Sequence, residues 1–343
     1  MAGAFTPPKG LDYNYTLNTE RRNFSEFFAE RAIPNKRANE LDLATWNIAN
    51  LDVQGRSDKD LKLIAHILSS FDITAVQEIK EDPRPFLKVV SYLRPKKFDF
   101  VLTDVAGAQE RLGIIYRTDR LEQRQLAGEL DYNPNGRIVK GKYVISPKKQ
   151  SFSVNRKKYS VDFYNFNRNP QLTSWKVKGR KCTFVLASAH IYFGKESQKS
   201  AQFRNRLAEV FYLATWAAEQ RKAKNEDKVF DQNLILLGDM NIPTKSENDP
   251  VWRALRRRGL KPTRYSTKAG TTIQEFTAYD QIVFAGASPE VIKINNRDST
   301  VVDFDNFIFR DLWDDETVSV EDFKAFTRYA VSDHRPLFVR LRV

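Results

Sequence analysis

Five apolar runs in the chain end in, or carry, an oxygen donor: Asn47 in TWNIAN, Glu78 in AVQE, Asp239 and Asn241 in LLGDMN, Asp280 in AYDQI and Asp333 in VSDHRP. A turn or a helix cap accounts for any single acid after a strand. Five such runs in one chain point to a shared use. Hard divalent cations such as Mg2+ and Ca2+ take oxygen ligands, which Asn, Asp and Glu supply. Histidine is scarce: of three in the chain, His190 closes the apolar run Phe184–Ile191 and His334 follows Asp333. An imidazole exchanges a proton near neutral pH, which suits general acid–base work on a phosphate ester. The third, His66, falls on an amphipathic helical pattern and reads as a packed or surface histidine.

These residues need strands to carry them. Leu41–Ile48, Ile73–Gln77, Phe98–Thr103, Leu112–Tyr116, Phe184–Ile191, Leu234–Leu237, Ala278–Phe284 and Leu337–Val343 are short apolar runs that read as strands. Helical spacing appears between them. Ser57 or Asp58 caps a helix through Ser70, with Leu61, Ile64, Ile67, Leu68 and Phe71 on one face. Further helices are expected over Phe86–Leu93, Ser197–Gln220 and Pro250–Arg258, and a short one around Phe24–Ala32. Many short strands with a few helices imply a layered α/β fold, with active-site groups gathered beyond strand ends.

No linker composition divides residues 41–343, so they are expected to form one catalytic domain behind an N-terminal extension, residues 1–40. Within it, residues 131–181 read as β-hairpins. They carry Lys140, Lys142, Lys148, Lys149, Arg156, Lys157, Lys158, Lys176, Lys178, Arg180 and Lys181. Tyr143, Phe152, Tyr159, Phe163 and Tyr164 are interleaved with these cations, the composition of a surface that tracks phosphates.

The whole chain of 343 residues has 56 Lys+Arg against 43 Asp+Glu, a net charge of +13 that favours a polyanionic partner. With 41% hydrophobic and 29% charged residues, a large core is affordable and global disorder is excluded. The single cysteine, Cys182, excludes an intrachain disulfide and a zinc site built on several thiolates. No apolar stretch is long enough for a transmembrane helix. The N-terminus lacks a basic region followed by an apolar one, so no signal peptide is read, and the cytoplasm or another reducing compartment is expected.

Five segments in order, ATWNIANL, VQEI, GDMN, AYDQIVF and SDHRPL, resemble the endonuclease/exonuclease/phosphatase superfamily and, within it, the deoxyribonuclease I-like branch. The resemblance spans about residues 41–343. It implies a four-layer α/β/β/α sandwich of two packed mixed sheets flanked by helices, and metal-dependent hydrolysis of phosphate esters. It further implies Asn47 and Glu78 as metal ligands, with Asp239 and Asp333 as ligands of a second ion. Asp239 and Asn241 would orient water and phosphate. His334 would be the general base, oriented by Asp280, and His190 the acid, paired with Glu110. Arg168 in RNP, with Arg111 beside Glu110, would meet the substrate phosphate. The expected cofactor is Mg2+, with Mn2+ or Ca2+ as alternatives.

Histidine at position 190, the Tyr116-Arg117 pair and the basic, aromatic-rich middle segment favour a DNA endonuclease of low sequence specificity, acting as a monomer on double-stranded DNA. A phosphatase or phosphodiesterase on phosphoinositide, sphingomyelin or another anionic headgroup would use the same site. A catalytically decayed nucleic-acid binder is the third alternative.

Overall fold

The computed structural model describes residues 5–30, 36–131, 136–139, 142–145, 150–222, 233–265, 269–274, 276–286 and 293–343. Lys140, Lys148 and Lys149 lie outside the described residues, as do Ala32 and Pro34 beyond the first helix.

Two six-stranded mixed sheets pack face to face. The first has the order β15 (Lys293–Val301), β16 (Leu337–Arg342), β1 (Glu40–Asn47), β2 (Ile73–Lys80), β4 (Glu110–Arg117) and β3 (Phe98–Leu102). The second has the order β13 (Lys261–Pro262), β14 (Asp280–Gly286), β12 (Leu234–Asp239), β11 (Thr183–His190), β10 (Gln171–Val177) and β5 (Leu121–Glu129). Each sheet has one central parallel pair, β1 with β2 and β11 with β12, and its other named pairings are antiparallel.

The side-chain period of two explains why the central strands are apolar on both faces. In β1, Leu41 and Leu43 enter the core between the sheets, while Ala44 and Trp46 enter the outer core. In β12, Ile235 and Leu237 face inward and Leu234 and Leu236 outward. The inter-sheet core also takes Trp175, Phe184 and the buried Cys182.

Helices cover the outer faces. Over the first sheet lie α1 (Leu17–Glu30), α2 (Asp58–Leu68), α3 (Arg84–Leu93) and α7 (Val320–Ala330), preceded by the single turn α6 (Arg310–Trp313). Over the second lie α4 (Ala201–Lys222) and α5 (Pro250–Arg256). The expected face of α2 is buried, and Ser57 and Asp60 close a reciprocal capping box at its start. The first helix begins at Leu17, earlier than its apolar pattern suggested, and places Phe24 and Phe27 in the outer core.

The middle segment does contain hairpins, β6 (Gly136–Val139) with β7 (Lys142–Ile145) and β8 (Gln150–Val154) with β9 (Lys157–Val161). Its aromatic residues correct the sequence reading. Phe152, Tyr159 and Phe163 are buried, with Phe152 4.4 Å from Phe211 and Phe163 4.5 Å from Tyr212, both on α4, measured between ring centroids. Alternation along β8 and β9 sends Phe152, Val154, Tyr159 and Val161 into the core and Lys158 outward, while Tyr164 lies on the surface. The strands β5, β10 and β15 and the helix α7 went unread, because their apolar residues are sparse or interrupted by charge.

Candidate active site

Strand register gathers the chemistry at one end of the two sheets. His190 pairs with Asp239 across β11 and β12, and Asp239 pairs with Asp280 across β12 and β14. Opposite them, Asn47 pairs with Gln77, and Glu110 pairs with Lys80. Glu78 sits in the irregularity between Val76 and Ile79 with φ +62. A bulge with left-handed backbone re-aims one side chain, and here it turns Glu78 toward Asn47. The Asn47 amide spans the sheets: Nδ2 donates to Glu78 Oε1 at 2.9 Å and to Asp239 Oδ2 at 3.0 Å.

Both histidines converge on one oxygen. His190 Nδ1 lies 2.8 Å from Glu110 Oε2, and its Nε2 lies 3.5 Å from Asp239 Oδ2 and 4.0 Å from Glu78 Oε1. His334 Nδ1 lies 2.8 Å from Asp280 Oδ2, and its Nε2 lies 3.7 Å from Asp239 Oδ2. Each imidazole is held at Nδ1 by a buried carboxylate and presents Nε2 to the same crevice. Such pairs fix the ring and stabilise its cationic form.

The charges are strongly coupled. Burial pushes the His334 imidazole down, but Asp280 and Asp239 outweigh it, so its pKa stands well above the ordinary value. Burial likewise raises Asp239, yet His334, His190 and the hydrogen bonds from Asn47 and the Asn241 amide leave it below the usual carboxylate range. Burial also raises Glu110, and His190, Arg168 and Lys80 more than offset that. Asp333 has no such compensation: burial pushes it up, and the Glu78 charge adds to the rise over the pull of His334.

The remaining expected residues are placed as follows. Asn241 donates from Nδ2 to Ile191 O at 2.7 Å, with its backbone at φ +49 and its amide on Asp239 Oδ1. Arg168 is buried; Nε and Nη2 donate to the carbonyls of His190 and Ile191, and Nη1 lies 3.2 Å from Glu110. Its guanidinium is thus committed to the chain's own carbonyls and to Glu110, where the sequence had suggested a contact with the substrate phosphate. Arg111 donates from Nη1 to Thr103 O and lies 3.3 Å from Asp104 Oδ1. Glu78, Glu110 and His190 each offer a ligand atom within 4.8 Å of the others, an acidic and imidazole group able to hold a cation.

A sequence model of the Endonuclease/Exonuclease/phosphatase family matches residues 44–334. The chain belongs to that family. Members of the Endonuclease/Exonuclease/phosphatase family hydrolyse phosphate esters, in keeping with a crevice of carboxylates and paired imidazoles. No curated protein matches the chain by sequence. The fold is shared with solved structures of low identity. An endonuclease/exonuclease/phosphatase from Bacteroides vulgatus is 14% identical with TM-score 0.53, covering 89% of this chain and 99% of that one. The human Nocturnin catalytic domain, solved with a sulfate anion, is 13% identical with TM-score 0.51, covering 88% and 94%. A family protein from Bacteroides thetaiotaomicron is 18% identical with TM-score 0.50, covering 88% and 97%.

Several supporting residues escaped the sequence reading. Lys80 Nζ donates to Glu110 Oε1 at 2.6 Å. Ser332 Oγ donates to Asn47 O and accepts from the His334 amide, joining the first and last segments. Arg56 donates to the carbonyls of Ile48, Ala49, Tyr329 and Val331. Glu209 on α4 accepts from the amides of Asn167 and Tyr192, beside Arg168 and His190. Only Ser332 carried a signal, its place in SDHRPL.

Proposed function

We propose that the protein is a divalent-metal-dependent phosphodiesterase that cleaves DNA internally with little sequence preference. The observation that carries this is the convergence of two carboxylate-backed histidines on Asp239 Oδ2, beside Asn47 and Glu78. The donor set fits a hard cation: Asn47, Glu78, Asp239 and Asp333 offer oxygen ligands, and Asp333 is half-buried beside the like charge of Glu78. These residues would hold Mg2+, with Mn2+ or Ca2+ as substitutes. When bound, the ion would neutralise phosphate charge and stabilise the charge that builds on the phosphoryl oxygens.

The chain's own groups divide the proton work. His334 Nε2 accepts a proton from the attacking water, and Asp280 stabilises the imidazolium that results. The negative charge of Asp239 favours the proton on His334, and a cation held beside Asp239 would offset that charge. His190 Nε2 donates to the leaving oxygen, with Glu110 holding its ring. Asn241 positions the carboxylate of Asp239, and Arg168 straps the His190 carbonyl and Glu110 together. Nucleic acid as the substrate is supported by the net charge of +13, by the exposed Lys157 and Lys158, and by the exposed aromatic side chains Phe193 and Phe276. Lys157 Nζ reaches Gln198 in the segment that follows His190, the Phe193 ring lies 6.2 Å from that of Tyr279, itself 6.1 Å from His334, and Phe276 precedes Asp280.

Incubation with supercoiled plasmid in Mg2+ tests the proposal. Nicked circles should form, EDTA should stop the reaction, and His190→Ala or His334→Ala should each slow it by about 10²–10⁴-fold. Absence of nicking, with rapid hydrolysis of a phosphoinositide or another headgroup ester in parallel, would move the activity to the phosphatase alternative.

A further inference from the structure

A cavity of about 630 Å³ lies at the edge of the second sheet, between the segment that follows β12, helix α5 and the edge strand β13. Its walls are rich in cations. Lys245, Lys261 and Arg264 line it and have no carboxylate partner among the described residues, whereas the lining residues Arg256 and Glu247 pair with each other. Lys245 is half-buried with its Nζ over the ring of Tyr265, and burial pushes its ammonium down to about 7. An ammonium taken from water without a counter-charge is costly to the fold.

We propose that this cavity is a second anion site, which takes a phosphate group carried on a ligand of nucleotide size. Phosphate follows from the cations that line the cavity without a carboxylate partner among the described residues, since charge-assisted hydrogen bonds are the strong ones. Size follows from the volume, which falls within the range of small-molecule sites. The site borders the catalytic machinery. Thr263 N donates to Ile282 O on β14, and Tyr265 OH donates to the carbonyl of Asp280 at 3.3 Å, so one cavity wall buttresses the residue that holds His334. The phosphate can belong either to a free nucleotide or to the backbone of a polynucleotide that extends past the crevice.

Calorimetric titration in EDTA, where no turnover is expected, separates these cases. The probes are adenosine 5′-monophosphate and a short oligothymidylate. The proteins are the full chain, Lys245→Met, Arg264→Ala and His334→Ala. Lys245→Met and Arg264→Ala should each weaken binding by about tenfold or more. His334→Ala should bind adenosine 5′-monophosphate as the unmodified chain does, and its effect on the oligonucleotide reports the crevice rather than the cavity. Weakening with both probes assigns a free nucleotide, and weakening with the oligonucleotide alone assigns a backbone phosphate. Arg264 is exposed, so its variant keeps the fold, and an unchanged Tm for Lys245→Met excludes misfolding there. Binding unaffected in both cavity variants, or lost only in His334→Ala, overturns the proposal. Neither result bears on plasmid nicking, which is measured separately in Mg2+.

Discussion

Asp239 is shared by both imidazoles and by the Asn47 amide, so one carboxylate joins the two halves of the crevice. Asp280 has a narrower task. It is fully buried, and its Oδ2 meets only the Nδ1 side of His334 among the titratable side chains in direct contact. Asp280→Asn keeps the shape but removes the charge that stabilises the imidazolium and selects its tautomer. The kcat/KM for plasmid nicking should fall by about 10³–10⁴-fold, with the secondary structure unchanged by circular dichroism. A loss below tenfold would mean that His334 is oriented by its other contacts, such as the Ser332 hydroxyl on its backbone amide.

At the scale of elements, the site depends on how closely β11 and β12 approach. Gly238 pairs with Ala189, with φ +135, and a Cβ at that position would overlap the Ala189 carbonyl oxygen. The neighbouring pair in the same register is His190 and Asp239. Gly238→Ala should therefore cost at least about 2 kcal/mol of stability, read as a lowered urea midpoint, and should reduce nicking in the fraction that stays folded. The α1–α2 contact is sensitive to pH. His66 on α2 touches Arg21 O and Ser25 Oγ on α1 and packs edge-on against Phe24. Burial, with Lys96 and Arg21 nearby, lowers its pKa from 6.5 to about 4. The unfolded chain then binds the proton more readily, so this stabilisation is complete above about pH 6.5 and is lost as the pH falls toward 4. The Tm of the unmodified chain should drop across that window more steeply than that of His66→Gln.

For the molecule as a whole, the charge of +13 bears on association more than on fold. Binding of duplex DNA in EDTA should weaken by about tenfold or more between roughly 50 and 200 mM salt, as counterion release requires when several phosphates are contacted. A salt-independent affinity would point instead to a small, buried headgroup as the substrate. The same scale explains the N-terminal segment: Tyr15, Phe24 and Phe27 join Phe309, Phe326 and Phe338 in one outer core, so residues 5–30 add a layer over the first sheet.

The sequence alone was enough for the family, the layered α/β architecture and the strand ends that carry Asn47, Glu78, His190, Asp239, Asp280 and His334. Apolar runs with polar termini are local patterns, and the motifs at those termini are short enough to read without coordinates. Tertiary structure decided the rest. Which carboxylate faces which imidazole depends on register between strands far apart in the chain, as His190–Glu110 and His334–Asp280 show. The commitment of Arg168 to carbonyls and the turning of Phe152 and Tyr159 into the core are likewise decided by what lies across from them. Lys80, Arg56 and Glu209 act through contacts with distant backbone or side chains, and no spacing along the chain encodes such contacts.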